Sequence, residues 1–267
     1  MDNQHKTNPL EDSDHQARFG ALGRLYGEPA AETFSKAHVC VIGIGGVGSW
    51  SVEALARSGI AELTLIDLDD ICVSNINRQV HATTETVGQF KVDVMAERAR
   101  LIQPNITIHS VRKFLTIDNA KTLLSGPYDV VLDAIDNGKL KCVLLDTCRD
   151  LGKASVTVGG AGGLSDPTLI RRCDLSRSHS DPLLHQVRKR LRQRHGWPRG
   201  DRKFGVECVF SEELSKFATC DGGVSDRPDE GTDRGINCNT GFGTSAAVTG
   251  AFGLAAAAAV LGLLADC

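Results

Sequence analysis

The stretch VCVIGIGGVGSW (39–50) decides the fold, because an apolar run leads straight into glycines and then into a helical pattern. Within the predicted helix over residues 46–58, Val47, Trp50, Ala54 and Leu55 fall on one side. A glycine turn between a strand and a helix lets backbone amides approach phosphate oxygens, and the start of the helix adds positive potential. We therefore predict a phosphate site, suited to NAD, FAD or ATP, formed by Gly43, Gly45, Gly46, Gly48 and Ser49.

Strands and helices continue to alternate beyond this turn. Strands are predicted over 62–67, 106–111, 128–136 and 154–158, and helices over 88–102, 118–124 and 138–151. This rhythm predicts an α/β fold with a doubly wound, mostly parallel, Rossmann-like sheet. Such sheets bind ligands at the carboxyl ends of their strands. Gly43–Gly48, Asp67 and Asp136 all follow strands, so we expect them to face one crevice.

The alternation fades after residue 159, and we expect an antiparallel C-terminal extension there. It contains predicted strands over 168–175 and 205–210, a basic helix over 183–195 and a long mobile loop over 218–237. Residues 245–265 carry no charge and are long enough to span a bilayer. Because they are mostly Ala and Gly, we predict a helix buried against the sheet and no membrane contact.

Composition narrows the possible classes of protein. The 267 residues suit one large domain, and the net charge of −3 requires any nucleic-acid contact to use a local basic patch. The nine cysteines are scattered without a CxxC pair, which favours reduced thiols over disulfides or a four-cysteine zinc site. Residues 1–17 lack the apolar core of a signal peptide, so we predict a disordered tail and a cytoplasmic protein.

Two cations and a carboxylate distinguish the possible nucleotides. Arg78 and Lys91 fall in the same half of the fold, and Asp136 ends a strand. A triphosphate that reacts at its α-phosphorus needs cations because charge grows on the departing pyrophosphate. Taken singly, each cation could be a solvated surface charge and Asp136 a strand-end cap. Taken together, the three side chains favour adenylation by ATP.

Five motifs in this order resemble the ThiF/MoeB/HesA adenylating enzymes, which are related to ubiquitin-activating enzymes. They are GIGGVGS (43–49), DLD (67–69), SNINRQ (74–79), VGQFK (87–91) and DAIDN (133–137). The resemblance implies that Asp67 holds the ribose of ATP and that Asp136 ligates Mg²⁺. The implied catalytic residues are Arg78, Lys91 and Asp136, and the implied further nucleotide contacts are Asp69, Asn75, Gln79 and Asn137.

The resemblance also implies an assembly and a domain plan. RFGALGR (18–24) is similar to the family's arginine motif, which reaches a partner subunit's ATP, so a homodimer is implied, with Arg18 or Arg24 as the reaching residue. A single adenylating domain is expected over 18–267. Its nucleotide-binding core covers 18–160, and its extension for substrate and tRNA, with the C-terminal helix, covers 161–267.

Longer motifs resemble one branch of that family, which acts on a modified tRNA base. TVGGAGGLSDPT (157–168), VECVFS (206–211) and GFGTSAA (241–247) carry this resemblance. It implies that the threonyl carboxylate of N6-threonylcarbamoyladenosine in tRNA is adenylated and then attacked within the same base, which closes a ring. ATP and Mg²⁺ are the implied cofactors, and a sulfur-relay protein is a further implied partner.

The basic stretch VRKRLRQRHGWPRGDRK (187–203) stands out against the slightly acidic chain. We predict that it contacts the tRNA backbone through Arg188, Lys189, Arg190, Arg192 and Arg194. An exposed charged helix without a ligand is the alternative. Trp197 could stack on a base or belong to a satellite core. The proposed cyclisation needs no thiol, so Cys208, Cys220 and Cys238 are expected to be free rather than covalent catalysts.

Other functions remain open on the sequence alone. The first alternative adenylates the C-terminal glycine of a ubiquitin-like sulfur carrier, although the basic stretch and the missing CxxC pairs disfavour it. The second is an NAD-dependent dehydrogenase, which Asp67 allows but in which Arg78 and Lys91 have no purpose. The third is a catalytically silent tRNA-binding module.

Overall fold

Seven strands form the central sheet of this computed structural model, which describes residues 9–219, 221–226 and 242–266, with side chains from residue 14 onward. The strands are β1 (His38–Ile42), β2 (Glu62–Ile66), β3 (Thr107–Val111), β4 (Val130–Asp133), β5 (Ala154–Val158), β6 (Ile170–Asp174) and β7 (Glu207–Ser211). Their spatial order is β3-β2-β1-β4-β5-β7-β6. Neighbours are parallel except for β6, which runs antiparallel to β7. The predicted sheet and its antiparallel extension are confirmed.

Eight helices flank the sheet within the described ranges. They are α1 (Pro9–Tyr26), α2 (Glu28–Phe34), α3 (Gly46–Arg57), α4 (Lys91–Ile102), α5 (Ala120–Leu124), α6 (Gly138–Asp150), α7 (Pro182–Arg194) and α8 (Ala246–Ala265). The predicted strand over 128–136 is too long, since β4 ends at Asp133 and leaves Asp136 in the following loop. The loop predicted over 218–237 contains all but the first residue of a short hairpin, β8 (Phe217–Ala218) with β9 (Val224–Ser225). Residue 220 and residues 227–237 of that loop lie outside the described part.

Two apolar cores cover the two faces of the sheet. Val39 and Val41 of β1 point into a core shared with α3, α4 and α8, whereas Cys40 and Ile42 point into a core shared with α5, α6 and α7. This alternation follows from the pleat of a strand. Because both of its faces are covered, the central strand β1 is buried along its whole length and is apolar over VCVI (39–42). The carboxyl ends of the strands are the part of the sheet left to polar loops.

Helix α8 is a core element. Its buried residues include Phe252 and Val260, and more than half of the helix is buried, although its length and composition would also allow it to cross a membrane. Gly253 lies against α3 so closely that a Cβ there would be 2.5 Å from Trp50 Cβ and 2.6 Å from the Val47 carbonyl oxygen. The predicted burial of the helix is confirmed, and the absence of membrane contact stays a prediction.

Replacing Gly253 with alanine is expected to lower the free energy of unfolding by about 1–3 kcal/mol, because the added methyl group overpacks the α3–α8 contact. Urea denaturation measures this change. Gly262→Ala in the same helix is the matched control, since its Cβ would meet only the flexible guanidinium of Arg172, at 3.0 Å. Equal stability of the two variants would contradict the close packing of α3 on α8.

The N-terminal region differs from the prediction. Helix α1 begins at Pro9, so a helix occupies residues 9–17, where the sequence predicted a disordered tail. Contacts further along the helix explain this: Arg18 Nη1 donates to the Ile102 carbonyl oxygen at 3.1 Å, and the ring of Phe19 is buried beside Gly59. Tertiary packing of this kind stabilises a helix that its own propensity would not. Residues 1–8 lie outside the described part of the chain.

Candidate active site

A cavity of about 610 Å³ opens at the carboxyl ends of β1, β2 and β4. It lies where the topology requires a crevice, because the chain leaves β1 toward β2 on one side and returns to β4 on the other. Most of the predicted site residues line it: Gly43, Gly45, Gly46, Asp67, Asp69, Asn75, Arg78, Gln79, Lys91, Asp136 and Asn137. The fold therefore brings predicted site residues together that are up to 94 positions apart in the sequence, from Gly43 to Asn137.

The glycine turn presents backbone amides to this cavity. Gly43 adopts φ 89°, a left-handed conformation that favours glycine, and its amide donates to the Ile66 carbonyl oxygen at 2.9 Å. Helix α3 then begins at Gly46, and no side chain caps the amides of its first turn within the described residues. Uncapped amides at the start of a helix form a ready site for a phosphate.

Gly48 and Ser49 do not line the cavity, although both were predicted to bind the nucleotide. A Cβ on Gly48 would lie within 1.8 Å of the Gly43 carbonyl oxygen, so this glycine allows the turn to fold back on the helix. Ser49 is fully buried, and its Oγ accepts a long hydrogen bond of 3.4 Å from the Val80 amide. The structure thus gives both residues a packing role that shapes the turn, and their predicted contact with the nucleotide stays a prediction.

Asp67 fixes the turn from the side of β2. Its Oδ2 accepts from the Ile44 amide at 2.7 Å and its Oδ1 accepts from the Asp69 amide at 2.9 Å. The carboxylate is nearly buried, and each oxygen keeps a lone pair for a further donor. The predicted contact of Asp67 with a ribose hydroxyl is compatible with this geometry and stays a prediction.

His81 fixes the same turn from the opposite side, which the sequence did not suggest. Its Nε2 lies 2.9 Å from the Ile44 carbonyl oxygen. Since a carbonyl only accepts, Nε2 must carry the proton. Burial, with a smaller contribution from the nearby cations Lys91 and Arg98, lowers the pKa of His81 to about 4, even though the bond to the Ile44 carbonyl raises it. His81 therefore stays a neutral donor at neutral pH, and Ile44 is held at both its amide and its carbonyl.

The neutral state of His81 predicts a loss of stability in acid. The unfolded chain takes up a proton near the ordinary pKa of 6.5, whereas the folded chain does so only near pH 4. The contribution of His81 to the free energy of unfolding should therefore be complete at pH values above its ordinary pKa. It should fall by about 2 kcal/mol as the pH drops from about 7.5 to about 5. His81→Gln keeps an N–H donor without titrating, so its unfolding should depend less on pH.

Urea unfolding at several pH values measures this dependence. His185→Gln, which replaces an exposed histidine on α7, is the control and should retain the wild-type pH dependence. The same pH slope for His81→Gln and the wild type would contradict a depressed pKa at His81.

Lys91 is the first residue of α4 and lies at the cavity wall with 6% exposure. Its Nζ donates to Asp69 Oδ2 at 2.8 Å, and its backbone amide donates to the Asp69 carbonyl oxygen at 3.1 Å. Asp69 was predicted to contact the nucleotide, and the geometry adds that it positions Lys91. The cation is thus held in place before any ligand binds.

Arg78 forms another part of the wall. Its Nη1 donates to the Ser74 carbonyl oxygen at 2.7 Å and to Asn77 Oδ1 at 2.9 Å. Its own carbonyl oxygen accepts from Trp50 Nε1 at 3.1 Å and from Thr249 Oγ1 at 3.0 Å, which anchors the backbone to α3 and α8. The guanidinium keeps further N–H donors for an anionic ligand.

The two amide side chains nearby differ in their availability. Asn75 is buried, and its Oδ1 accepts from the Cys72 amide at 3.1 Å, which closes the short turn before Arg78. Gln79 is also buried, and its Oε1 has no hydrogen-bond partner among the described residues. Buried polar atoms normally have a partner, so Gln79 is the better candidate for a direct ligand contact.

Asp136 and Asn137 have different roles at the start of α6. Asn137 caps the helix, because its Oδ1 accepts from the amides of Lys139 and Leu140 at 3.0 and 3.1 Å. Asp136 is exposed to the cavity, and within the described ranges it forms no hydrogen bond or ion pair. A carboxylate without a partner beside a phosphate site has the ligand chemistry of Mg²⁺, which uses one or two carboxylates together with substrate phosphates and water.

A buried polar network underlies the DAIDN segment and was missed in the sequence. Lys141 and Asp133 are both fully buried, and Nζ of Lys141 lies 3.0 Å from Asp133 Oδ2. Thr157 Oγ1 donates to the same oxygen at 2.7 Å. None of the three lines the cavity, so they hold the end of β4 against β5 and α6. The i, i+8 spacing gave no signal for this pair.

The cavity wall also contains residues that were not predicted. They follow β3 and β5 or precede α8, and they include Lys113, Phe114, Leu115, Gly159, Gly160, Gly162 and Thr244. The segments after β3 and β5 could have been found by the same strand-end argument that identified Asp67. The approach of residue 244 could not, because the chain reaches the cavity there only through the packing of α8.

The basic helix α7 is partly committed to internal contacts. Arg188 and Arg192 are half-buried: Arg188 donates to the Ser178 hydroxyl, and Arg192 Nε donates to the Pro198 carbonyl oxygen at 3.2 Å. Arg190 is also half-buried, whereas Lys189 and Arg194 are exposed. The predicted cation cluster therefore has two fully available members on the helix, and Arg199, Arg202 and Lys203 extend it on the following loop.

Asp181 connects this helix to the cavity. Its Oδ1 accepts from the Leu184 amide as the N-cap of α7, and its Oδ2 accepts from the Gly160 amide, both at 2.8 Å. Gly160 belongs to the cavity wall. The basic helix consequently begins beside the cavity.

Trp197 belongs to the core and is not a stacking platform. It is 3% exposed, and its Nε1 donates to Asp146 Oδ1 at 2.8 Å. Of the cysteines, Cys40, Cys72, Cys142, Cys148, Cys173 and Cys208 are free. Burial raises the pKa of Cys208 far above its ordinary value, which makes it a poor nucleophile. Cys220, Cys238 and Cys267 lie outside the described residues.

The chain is similar to known proteins over nearly its whole length. Residues 20–267 match the ThiF family. The tRNA threonylcarbamoyladenosine dehydratase of Escherichia coli (strain K12) is 47% identical over 242 residues, which is 90% of each chain. The enzyme of the same name from Haemophilus influenzae is 45% identical over 249 residues, 93% of each chain. A crystal structure of the E. coli enzyme in complex with ATP superposes with a TM-score of 0.81 at 43% identity, covering 93% of this chain and 94% of that one.

Proposed function

This chain belongs to the ThiF family, and from that premise we propose that it is an ATP-dependent tRNA threonylcarbamoyladenosine dehydratase. It transfers AMP from ATP to the threonyl carboxylate of N6-threonylcarbamoyladenosine in tRNA, closes a ring within that base, and releases AMP and pyrophosphate. One observation carries the proposal: a single cavity holds uncapped helix amides, Arg78, Lys91 and the unpaired Asp136. The similarity to the dehydratases extends over the C-terminal region as well as the nucleotide-binding core.

In the first step, a carboxylate oxygen of the substrate attacks the α-phosphorus of ATP, and the bond from that phosphorus to the pyrophosphate oxygen breaks. Negative charge grows on the equatorial oxygens and on the leaving pyrophosphate. We assign the stabilisation of this charge to the amides at Gly45 and Gly46, to the guanidinium of Arg78 and to the ammonium of Lys91. Fixed donors of this kind are worth about 2.7–4 kcal/mol each when they act on developing charge.

Mg²⁺ fits the free carboxylate of Asp136, which is the residue that would hold it. When bound, the ion neutralises charge on the phosphates and keeps them in line for displacement. Asp69 is already paired with Lys91 and so is less suited to the ion. The neighbouring Asn137 is occupied as a helix cap, which leaves Asp136 as the residue of this segment that faces the ligand.

In the second step, a nucleophile within the threonylcarbamoyl group attacks the acyl carbon, the bond to the AMP oxygen breaks, and the nucleophile loses its proton. The net change is loss of water from the modified base. Because nucleophile and acyl adenylate belong to one nucleotide, the reaction is intramolecular and gains a large effective molarity. No thiol is required, which agrees with the buried state of Cys208.

The basic helix supports tRNA as the carrier of the substrate. It begins at Asp181 beside the cavity wall, and Lys189 and Arg194 are exposed on it. A phosphate backbone that follows these cations would bring a nearby base to the cavity. We therefore narrow the predicted tRNA contacts from five residues to the exposed ones and assign Arg188 and Arg192 mainly to holding the helix.

Replacing Lys189 and Arg194 together with alanine is expected to flatten the salt dependence of tRNA binding. Each lost phosphate contact should change the slope of log affinity against log salt by about 0.7–0.9. Filter binding of tRNA over a range of salt concentrations measures it. Arg100 and Lys121 are exposed cations on other helices, and the double variant Arg100→Ala with Lys121→Ala is the charge-matched control. Equal slopes for both variants would mean that α7 is an exposed charged helix that does not contact tRNA.

The decisive experiment supplies ATP and Mg²⁺ with tRNA that carries N6-threonylcarbamoyladenosine, and measures AMP release and loss of water from the base by mass spectrometry. We expect stoichiometric AMP and cyclised base. A parallel reaction with a ubiquitin-like carrier ending in glycine tests the sulfur-carrier alternative. AMP formed with the carrier but not with tRNA would overturn the proposal, as would tRNA binding without AMP release or binding of NAD in place of ATP.

Further features of the proposal concern assembly and location. We propose a homodimer in which Arg24 reaches the partner's ATP, because Arg24 is exposed whereas Arg18 is held by Asp14 and by the Ile102 carbonyl. A cytoplasmic location follows from the tRNA substrate. Docking of a sulfur-relay protein is retained as a prediction from the sequence resemblance.

A further inference from the structure

Three side chains with metal-ligand chemistry meet at the opposite end of the sheet from the cavity. His38 is the first residue of β1, Glu62 is the first residue of β2, and His109 is in the middle of β3. The strand register pairs His38 with Glu62 and His109 with Thr64, so all of them project from one face of three adjacent strands. One ligand atom from each of His38, Glu62 and His109 lies within 4.8 Å of the other two.

The buried member of this cluster has an unsatisfied nitrogen. His38 is 7% exposed, and its Nε2 lies 2.9 Å from Thr64 Oγ1. Its Nδ1 has no hydrogen-bond partner among the described residues and lies 3.4 Å from Glu62 Oε1. A buried polar atom without a partner is uncommon and calls for an explanation. A cation between this nitrogen and the carboxylate would satisfy both.

We propose that His38, Glu62 and His109 bind a divalent transition metal, with Zn²⁺ as the representative ion. Two imidazoles and one carboxylate are a ligand set that Zn²⁺ uses at sites with an open position. Zn²⁺ bonds of about 2.0–2.1 Å in tetrahedral geometry separate neighbouring ligand atoms by about 3.3 Å. The distance from His38 Nδ1 to Glu62 Oε1 is already 3.4 Å.

The third ligand can complete this geometry with a small movement. His109 Nε2 lies 2.6 Å from Glu62 Oε1, closer than two ligands of one ion, and its side chain is 51% exposed and therefore able to swing outward. Thr64 supplies the outer contact that orients the ring of a metal-bound histidine. The exposed side of Glu62 and His109 leaves the fourth position open to water.

This site is distinct from the nucleotide site and does not depend on the proposed function. His38 and Gly43 are the two ends of β1 and its turn, which places them about 16 Å apart along an extended strand. The metal would connect β1, β2 and β3 at their amino-terminal side, beside the edge of the sheet, where β3 is largely exposed. Binding is thus expected in the absence of ATP and tRNA.

Metal binding by the whole chain, carrying no affinity tag and freed of metal by a chelator, tests the proposal. Titration with Zn²⁺ followed by calorimetry should give one ion per chain, with a raised melting temperature. His109→Ala should weaken Zn²⁺ binding by at least about 100-fold, because loss of a direct ligand should cost more than the roughly 10–100-fold that follows from loss of an outer hydrogen-bond partner. His179→Ala is the matched control, because His179 forms a comparable exposed pair with Glu212 at 3.5 Å but has no third ligand among the residues that the structure describes.

Spectroscopy separates this site from the cysteines. Co²⁺ bound to imidazole and carboxylate shows d–d absorption without a thiolate-to-metal charge-transfer band. Glu62→Gln provides a second variant that keeps the shape of the side chain and should also lose Co²⁺ and Zn²⁺. Absence of binding to the wild type, unchanged binding in His109→Ala and Glu62→Gln, or a thiolate band would each overturn the proposal.

Discussion

Replacing Lys91 with alanine is expected to lower turnover by about 10²–10³-fold, because one positioned cation opposite the developing phosphate charge is lost. The protein should remain folded. Asp69, the partner left without its cation, has a side chain that is 49% exposed and is therefore solvated by water. Release of AMP from ATP with modified tRNA measures the turnover, and a thermal melt measures the fold.

Lys121→Ala is the control for Lys91→Ala, since Lys121 is an exposed lysine on α5 outside the cavity wall. It should keep wild-type turnover. Near-wild-type activity of Lys91→Ala would remove this residue from the mechanism, whereas an unfolded variant would show that the ion pair with Asp69 stabilises the fold instead.

Replacing Gly48 with alanine is expected to damage the phosphate site by displacing the glycine turn. The new Cβ would lie within 1.8 Å of the Gly43 carbonyl oxygen, which is backbone, so the turn must move. Overpacking of this kind costs about 1–3 kcal/mol of stability. A displacement of about 1 Å in a site that positions reactants lowers the rate by about 10²-fold, and a similar loss is expected here.

Steady-state kinetics and urea denaturation together measure both effects of Gly48→Ala. Gly262→Ala is again the control, because it changes a helical glycine whose Cβ meets only a flexible side chain. Full activity and stability of Gly48→Ala would mean that the turn tolerates a shift and that its tight packing is not needed for the phosphate site.

Much of this architecture could be predicted because it is encoded locally. The order of apolar run, glycines and helix predicted the turn at Gly43. The strand-end argument placed Asp67 and Asp136 at one cavity, although β4 ends at Asp133 and Asp136 lies in the loop after it. Arg78 and Lys91 were found because their motifs stand in a fixed order along the chain. Local patterns of this kind survive folding, since strands of a parallel sheet bring their carboxyl ends to one edge.

The remaining parts depend on contacts between distant residues. His81 meets Ile44 across 37 positions, and Trp197 meets Asp146 across 51 positions, so neither role has a local pattern. Gly48 was predicted to bind the nucleotide because it belongs to a phosphate-binding motif. Its role in shaping the turn could not be predicted, because that role depends on the close contact with the Gly43 carbonyl oxygen. The N-terminal helix was missed because polar residues predict disorder unless a tertiary partner is known.

The double anchoring of Ile44 has a thermodynamic consequence. Asp67 and His81 hold its amide and its carbonyl before any ligand arrives. A flexible loop loses conformational entropy when it binds a ligand, but this turn has already lost that entropy during folding. A larger share of its interaction energy with ATP therefore appears as binding affinity. Free and ligand-bound forms should share one loop conformation, and ATP should enter by rigid docking rather than through a slow ordering step.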